Sequence, residues 1–294
     1  MAKSILAVAA LSLMLSPFIS FQAIADEGFR ISIVAGKDKQ SSSVRAVGKV
    51  SELITDDDRK TFNIEDSSLK SAIDKHFGKR PNDAYVKSKT PWGDLYAKYS
   101  WSQVHRVTEV HSAKIVEITS EPSILSSKTL ENNSNYSGTF DASISETVEN
   151  TTESNWSEED SVSVSQTFSY DVSFLGSGGG GETSFEYTHT WGQGGSESQA
   201  IAVGSEQGVQ VTLDPGESVV AELNASRGSM KVEIVYKIYL TGTTAVNYNP
   251  KYKGHHFWDL GISGVMKSGG LNNEILVKET IELGYYSDGQ VVLK

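Results

Sequence analysis

SVSVSQTFSYDVSFLGSGGGGETSFEYTHTW, residues Ser161 to Trp191, consists of two arms of alternating polar and apolar residues about a glycine-rich centre. In the first arm Val162, Val164, Phe168, Tyr170, Val172 and Phe174 share one face, and Ser161, Ser163, Ser165, Thr167, Ser169, Asp171 and Ser173 share the other. Only Gln166 interrupts the apolar face. The return arm sets Phe185, Tyr187 and Trp191 against Ser184, Glu186, Thr188 and Thr190, with His189 as its interruption. A sustained period of two predicts paired β-strands, and the glycines between Gly176 and Gly181 predict the turn. Folding about the middle of that run would bring Val172 opposite Phe185, Tyr170 opposite Tyr187 and Phe168 opposite His189, so that the apolar faces coincide.

Such a hairpin either packs one face on a soluble core or alternates apolar-out and polar-in through a membrane barrel. Periodicity does not separate the two, and the ordinary soluble hairpin is the commoner object. The polar face is mostly Ser and Thr, residues that favour extended backbone and suit both a watery lumen and a soluble surface.

At the start of the chain, Lys3, the apolar run from Ile5 to Phe21 and Ala23-Ile24-Ala25 before Asp26 predict a secretory signal peptide over residues 1–25. The product is therefore expected to be secreted. The net charge is −11, or about −12 without Lys3, which argues against nucleic acid and against simple electrostatic capture by anionic lipid. Any membrane target would have to be recognised through a receptor, a glycan or apolar contact. There is no cysteine, which removes disulfides, zinc–thiolate sites and cysteine nucleophiles from consideration. Asn132, Asn135, Asn150, Asn155 and Asn224 each begin an Asn-x-Ser/Thr triplet and are candidate N-glycosylation sites.

Short alternating pieces from Gly28 to Ile64 predict small strands. A helix is expected after Asp66, Ser67 or Ser68, where Leu69, Ala72, Ile73, His76 and Phe77 recur at helical spacing until Gly78. Beyond the aromatic segment TPWGDLYAKYSW, residues Thr90 to Trp101, the chain turns to long Ser/Thr-rich β structure. Asp214-Pro215-Gly216-Glu217 marks a turn between strands, and the stretch from Asn247 to Lys294 returns to an aromatic-rich globular composition.

The order SISETVENTTESNW, the Ser-alternating arm, ETSFEYTHTWG and VTLDPGESVVAEL resembles the aerolysin-type β-pore-forming superfamily, which includes epsilon toxin, mosquitocidal toxins and natterins. The likeness covers roughly residues 114 to 242. TPWGDLYAKYSW and YKGHHFWDLGISGVMKSGG look like the spherulin and follicular-epithelium yolk protein branch of that superfamily. The resemblance implies a mainly β, elongated protein with a small α+β head and a long twisted antiparallel β body carrying an amphipathic insertion hairpin. Divided accordingly, residues 26–112 and 245–294 would supply the head and residues 113–244 the body, with the hairpin at about 158–182.

Function follows from the same resemblance as an expectation. A secreted chain would bind a membrane lipid or a glycan or protein receptor, form a homo-oligomer on the target-cell membrane, and insert one hairpin per protomer into a shared barrel. Val162, Val164, Phe168, Tyr170, Val172, Phe174, Leu175, Phe185, Tyr187 and Trp191 would form the inserting segment. The alternative is a non-lytic yolk, egg or spore storage protein that keeps the fold. Trp92, Tyr96, Trp101, Tyr252 and Trp258 are candidate contacts to glycans or lipid headgroups, because aromatic rings suit surfaces that are part apolar and part wet. The glycine run lacks the Lys-Ser/Thr of a phosphate loop, and no serine sits in a nucleophile-elbow pattern. His255-His256 beside Asp259 read as packed loop residues rather than ligands. No enzyme, cofactor, metal or nucleic acid is expected.

Overall fold

The structure is a computed structural model and describes residues 28–157, 167–177, 181–192, 194–204 and 209–294. The expected signal peptide, Val162 and Val164 lie outside the described residues. The chain begins with β1 (Phe29–Ala35), β2 (Ser43–Val47), β3 (Lys49–Leu53), α1 (Asp56–Thr61), α2 (Asp66–Phe77), β4 (Asp83–Tyr85) and α3 (Pro91–Tyr99). It continues through β5 (His105–Glu131), β6 (Gly138–Asp141), β7 (Ser145–Trp156), β8 (Thr167–Ser177), β9 (Gly181–Thr190), β10 (Gly195–Gly204) and β11 (Gln210–Leu213). It ends with β12 (Ser218–Thr241), β13 (Thr243–Tyr252), β14 (His255–Gly261), α4 (Ile262–Gly269) and β15 (Glu274–Leu293).

The body is a six-stranded sheet in the order β10-β7-β15-β12-β5-β3. The 27 residues of β5 extend over roughly 90 Å at the usual rise of a strand. Alternation gives this sheet two unlike faces. Met230, Val232, Ile234, Tyr236, Ile238 and Leu240 of β12 and Val277, Ile281, Leu283 and Tyr285 of β15 are buried on one of them. Apart from Glu279, the residues between them in sequence are half-buried or exposed. A second sheet, β2-β1-β8-β9, lies against the buried face, and the two share one apolar cluster.

The head is the sheet β14-β13-β4 with the helices packed around it. β4, from the first third of the chain, pairs antiparallel with β13, placing Ala245 opposite Tyr85. α2 buries Leu69, Ala72 and Ile73, the stripe its spacing predicts, and stops at Gly78, whose φ of 89° suits glycine. The other three helices, six to nine residues each, are too short to show a period in sequence. In α3, positive φ at Trp92 and Gly93 breaks the helix just after Pro91.

The C-terminal segment divides, contrary to the expectation that residues 245–294 return to the head together. β13, β14 and α4 belong to the head, whereas β15 lies between β7 and β12 in the body. Its buried alternation makes it a second backbone of the body core beside β12.

Candidate functional site

β8 and β9 form the hairpin with the register expected from the alternation: Phe168 faces His189, Tyr170 faces Tyr187 and Val172 faces Phe185. Phe168, Tyr170, Val172 and Phe174 have no measurable exposure, Tyr187 and Trp191 are buried, and Phe185 and Leu175 are half-buried. The hairpin is therefore docked with its apolar face on the body. Its outer edge along β8 is also taken: β1 pairs parallel with β8 over seven residues, from Phe29 opposite Phe168 to Ala35 opposite Phe174.

Phe168 is the hub of the docking contact. Its ring lies 4.7 Å from Phe29, 5.5 Å from Trp156, 5.6 Å from Trp191 and 5.0 Å from Tyr236. Farther along, Phe174 meets Tyr285 at 5.5 Å. Burying a side chain of this size stabilises by about 1.5–3 kcal/mol, so the four inward residues of β8 together hold the hairpin by roughly 6–12 kcal/mol.

Within that apolar contact sits a carboxylate. Glu279 of β15 is fully buried; Ser154 of β7 and Tyr170 of the hairpin donate to its Oε1 at 2.6 and 2.5 Å, and Tyr236 of β12 donates to Oε2 at 2.7 Å. Burial raises the Glu279 carboxyl above its ordinary range, although all three hydroxyl bonds pull the other way. Burial, and then the nearby carboxylate, push the Tyr170 and Tyr236 phenols far above theirs, which keeps both as donors. Elsewhere along the hairpin and the strands beneath it, Thr152 Oγ1, Tyr187 Oη, His189 Nε2 and Ser287 Oγ are buried without hydrogen-bond partners among the described residues. Gly195 makes room for the His189 ring, since a Cβ there would fall 2.1 Å from its Cε1.

The outer face of the hairpin carries Thr167, Ser169, Asp171, Ser173, Ser184, Glu186 and Thr188. Asp171 stands directly opposite Glu186, a like-charge pair that favours separation within a sheet.

In the head, the aromatic candidates divide. Trp92 is 41 % exposed and leans on Phe257 and Tyr85, while Trp101 is half-buried and stacks on the exposed Tyr99. Tyr252 and Trp258 are half-buried around Phe77, with the Lys253 ammonium 4.1 Å from the Phe77 ring centre. Tyr96 is not a surface contact. It is buried, shares its single hydroxyl proton between the carbonyls of Tyr85 and Thr243 and accepts from the Ala245 amide, so it ties β4 to β13. His255 and His256 are exposed; a ring nitrogen of His256 lies 2.7 Å from the Tyr248 carbonyl.

The sequons also divide. Asn132 is buried, with its amide nitrogen donating to Tyr136 and Leu213 carbonyls, and Asn150 is buried with its oxygen accepting from the Tyr286 amide. A glycan on either would have to break the interior, whereas Asn135 and Asn155 are exposed and Asn224 is half-buried. Among the described residues no group of three or more His, Asp or Glu could hold a metal, and no helix is long and apolar enough to cross a membrane.

Three features of the site were not anticipated from sequence: Glu279, its partner Tyr236, and the covering strand β1. Glu279 did leave a signal, because it occupies an apolar parity position between Val277 and Ile281.

No protein-family model matches the chain. It is 35 % identical over 270 residues to U-megalopygitoxin(8)-Mc8 of Megalopyge crispata, covering 91 % of this chain and 92 % of that one. It is 36 % identical over 270 residues to U-megalopygitoxin(8)-Mo12 of Megalopyge opercularis, with the same coverage of each. Among solved structures, the Bacillus thuringiensis toxin parasporin-2 superimposes with a TM-score of 0.57 at 19 % identity, over 84 % of this chain and 98 % of that one. The fold is thus the mainly β, aerolysin-type one that the sequence resemblance implied.

Proposed function

This chain belongs to the U-megalopygitoxin(8) family, and from that premise and the docked hairpin we propose that it is a secreted toxin that binds membranes, oligomerises and inserts one β-hairpin per protomer to form a barrel pore. The observation that carries this reading is the hairpin's two-sidedness: a largely aromatic and apolar face held inside, and a face of Ser, Thr and carboxylates turned to water. Undocking into water would forfeit roughly 6–12 kcal/mol, but a lipid destination returns that burial. A closed barrel satisfies the backbone groups that an open hairpin leaves bare, and so makes oligomerisation the condition of insertion. The exposed aromatics Trp92 and Tyr99 are the side chains with which the head would first meet a glycan or headgroup, and Asn135 and Asn155 are the sequons best placed to carry sugars. Alanine at both Trp92 and Tyr99 is expected to cut cell binding at least tenfold while the protein stays folded, its melting temperature lowered only by the loss of these edge contacts.

The test is conductance across planar bilayers and dye release from liposomes and intact cells. Once inserted, each protomer would line the lumen with Asp171 opposite Glu186, so the pore should prefer cations. In a salt gradient the reversal potential is expected to move toward the anion side in the Asp171→Asn, Glu186→Gln double variant. Anion preference in the unmodified pore would remove these residues from the lumen. No release or conductance on any membrane, by a folded protein, would reject the pore and leave a storage or binding use of the fold.

A further inference from the structure

Glu279 is an odd choice for the centre of a docking surface. It is fully buried, its partners are three hydroxyls, and among the described residues no Lys or Arg pairs with it. Of those hydroxyls, Ser154 and Tyr236 belong to the body and stay with Glu279 when the hairpin departs; only Tyr170 leaves. What the hairpin contributes is thus one hydrogen bond and a lid against water. A carboxylate so enclosed gains hydration when the lid lifts, a gain that the surrounding Val, Ile, Leu and Phe residues do not share.

We propose that Glu279 is a release group, a buried acid whose rehydration favours departure of the hairpin, restrained at rest by the Tyr170 hydroxyl. The purpose of release rests on the pore-forming reading above; the docking energetics do not. The acid carries its proton more readily when docked than when wetted, because burial outweighs the three hydroxyl bonds. Docking is therefore favoured at low pH and weakened as pH rises through the docked carboxyl's range, by up to about tenfold in the docked-to-released ratio per pH unit. Acid locks this contact.

Other titratable groups face the same interface and must be separated from it. They are Tyr170 of β8, Tyr187 and His189 of β9 and Tyr236 of β12, with Glu197 of β10 acting on Tyr187 from beyond. The phenols of Tyr170, Tyr187 and Tyr236 are all pushed well above their ordinary range by burial and do not titrate near neutrality. His189 is the remaining ionisable side chain at this interface, and a His189 variant serves as the control.

The experiment is amide hydrogen exchange along β8 in the full-length soluble protein between pH 5 and 8, corrected for intrinsic rates, which reads local opening without a membrane. Glu279→Gln keeps an acceptor for the hydroxyls and removes the charge. It is expected to raise protection at Tyr170 and Val172 by about tenfold at pH 7.5 and to flatten the pH profile. Tyr170→Phe is expected to act oppositely and lower protection severalfold, and His189→Gln to leave the slope intact. A purely structural role for Glu279 would make both Glu279→Gln and Tyr170→Phe lose protection, and that result overturns the proposal. So does a slope that survives Glu279→Gln or vanishes with His189→Gln. If Glu279→Gln tightens the hairpin but no version of the protein releases dye, the pore reading fails and the release group stands.

Discussion

A chain carrying Val34→Cys and Ser173→Cys will release no dye from liposomes until it is reduced. The two positions are partners in the parallel ladder between β1 and β8, on the half-buried side away from the aromatic cluster. Neighbours in a ladder fall within the Cα separation that a disulfide spans, and the natural chain has no cysteine to compete. The bridge would fasten the hairpin to a strand that does not travel with it. A second staple gives the contrast: Ser169→Cys with Thr188→Cys joins the two arms of the hairpin at opposed positions. Those arms move together, so this variant is expected to release dye as the unmodified protein does. If the first staple forms and release persists, β8 does not leave β1, and some other segment inserts.

Phe168→Ala is expected to destabilise the soluble form by about 3–5 kcal/mol, the cost of emptying a large aromatic site in a packed core. The ring contacts four other aromatics from β1, β7, β12 and the residue just beyond β9, so no single neighbour can collapse into the space. The expected readout is a melting temperature lower by several degrees together with binding of an apolar dye at temperatures where the unmodified chain binds none. Phe168→Leu keeps most of the volume and should recover most of the loss. An unchanged melt for Phe168→Ala would mean that the docked hairpin contributes little to the folded state, and the argument that lipid must compensate its burial would fall with it.

The hairpin was legible because its information is local. Alternation fixes which side chains share a face, and the glycine run at Gly176 fixes where the chain turns, so the pairing of Val172 with Phe185 follows from counting. α2 was legible for the same reason, with twelve residues to display a period. What escaped depends on partners remote in sequence. Phe29, Ile31 and Ile33 announce a strand, yet nothing in them says that it runs parallel to β8 rather than antiparallel to some other strand. The aromatic segments of the head showed that rings cluster but not which ring goes inside: Tyr96 is buried because its hydroxyl serves two strands, while Trp92, four residues earlier, is exposed by a left-handed backbone turn. Likewise a sequon carries no information about whether its amide is already engaged, as those of Asn132 and Asn150 are.

The position of β15 has a consequence for synthesis. The body sheet places this strand between β7 and β12, and it is the strand that brings Glu279, Ile281, Leu283 and Tyr285 beneath the hairpin. On the ribosome, β8 emerges more than a hundred residues before the bed it rests on is complete, which at ordinary elongation rates is a wait of roughly 5–20 s. During that interval the hairpin has β1 and Trp156 to rest on, but its apolar face lacks the bed that β12 and β15 later provide. On the proposed function, the producing cell would meet the half-bedded segment before any target does, and chaperone cover during translation is expected to protect the maker.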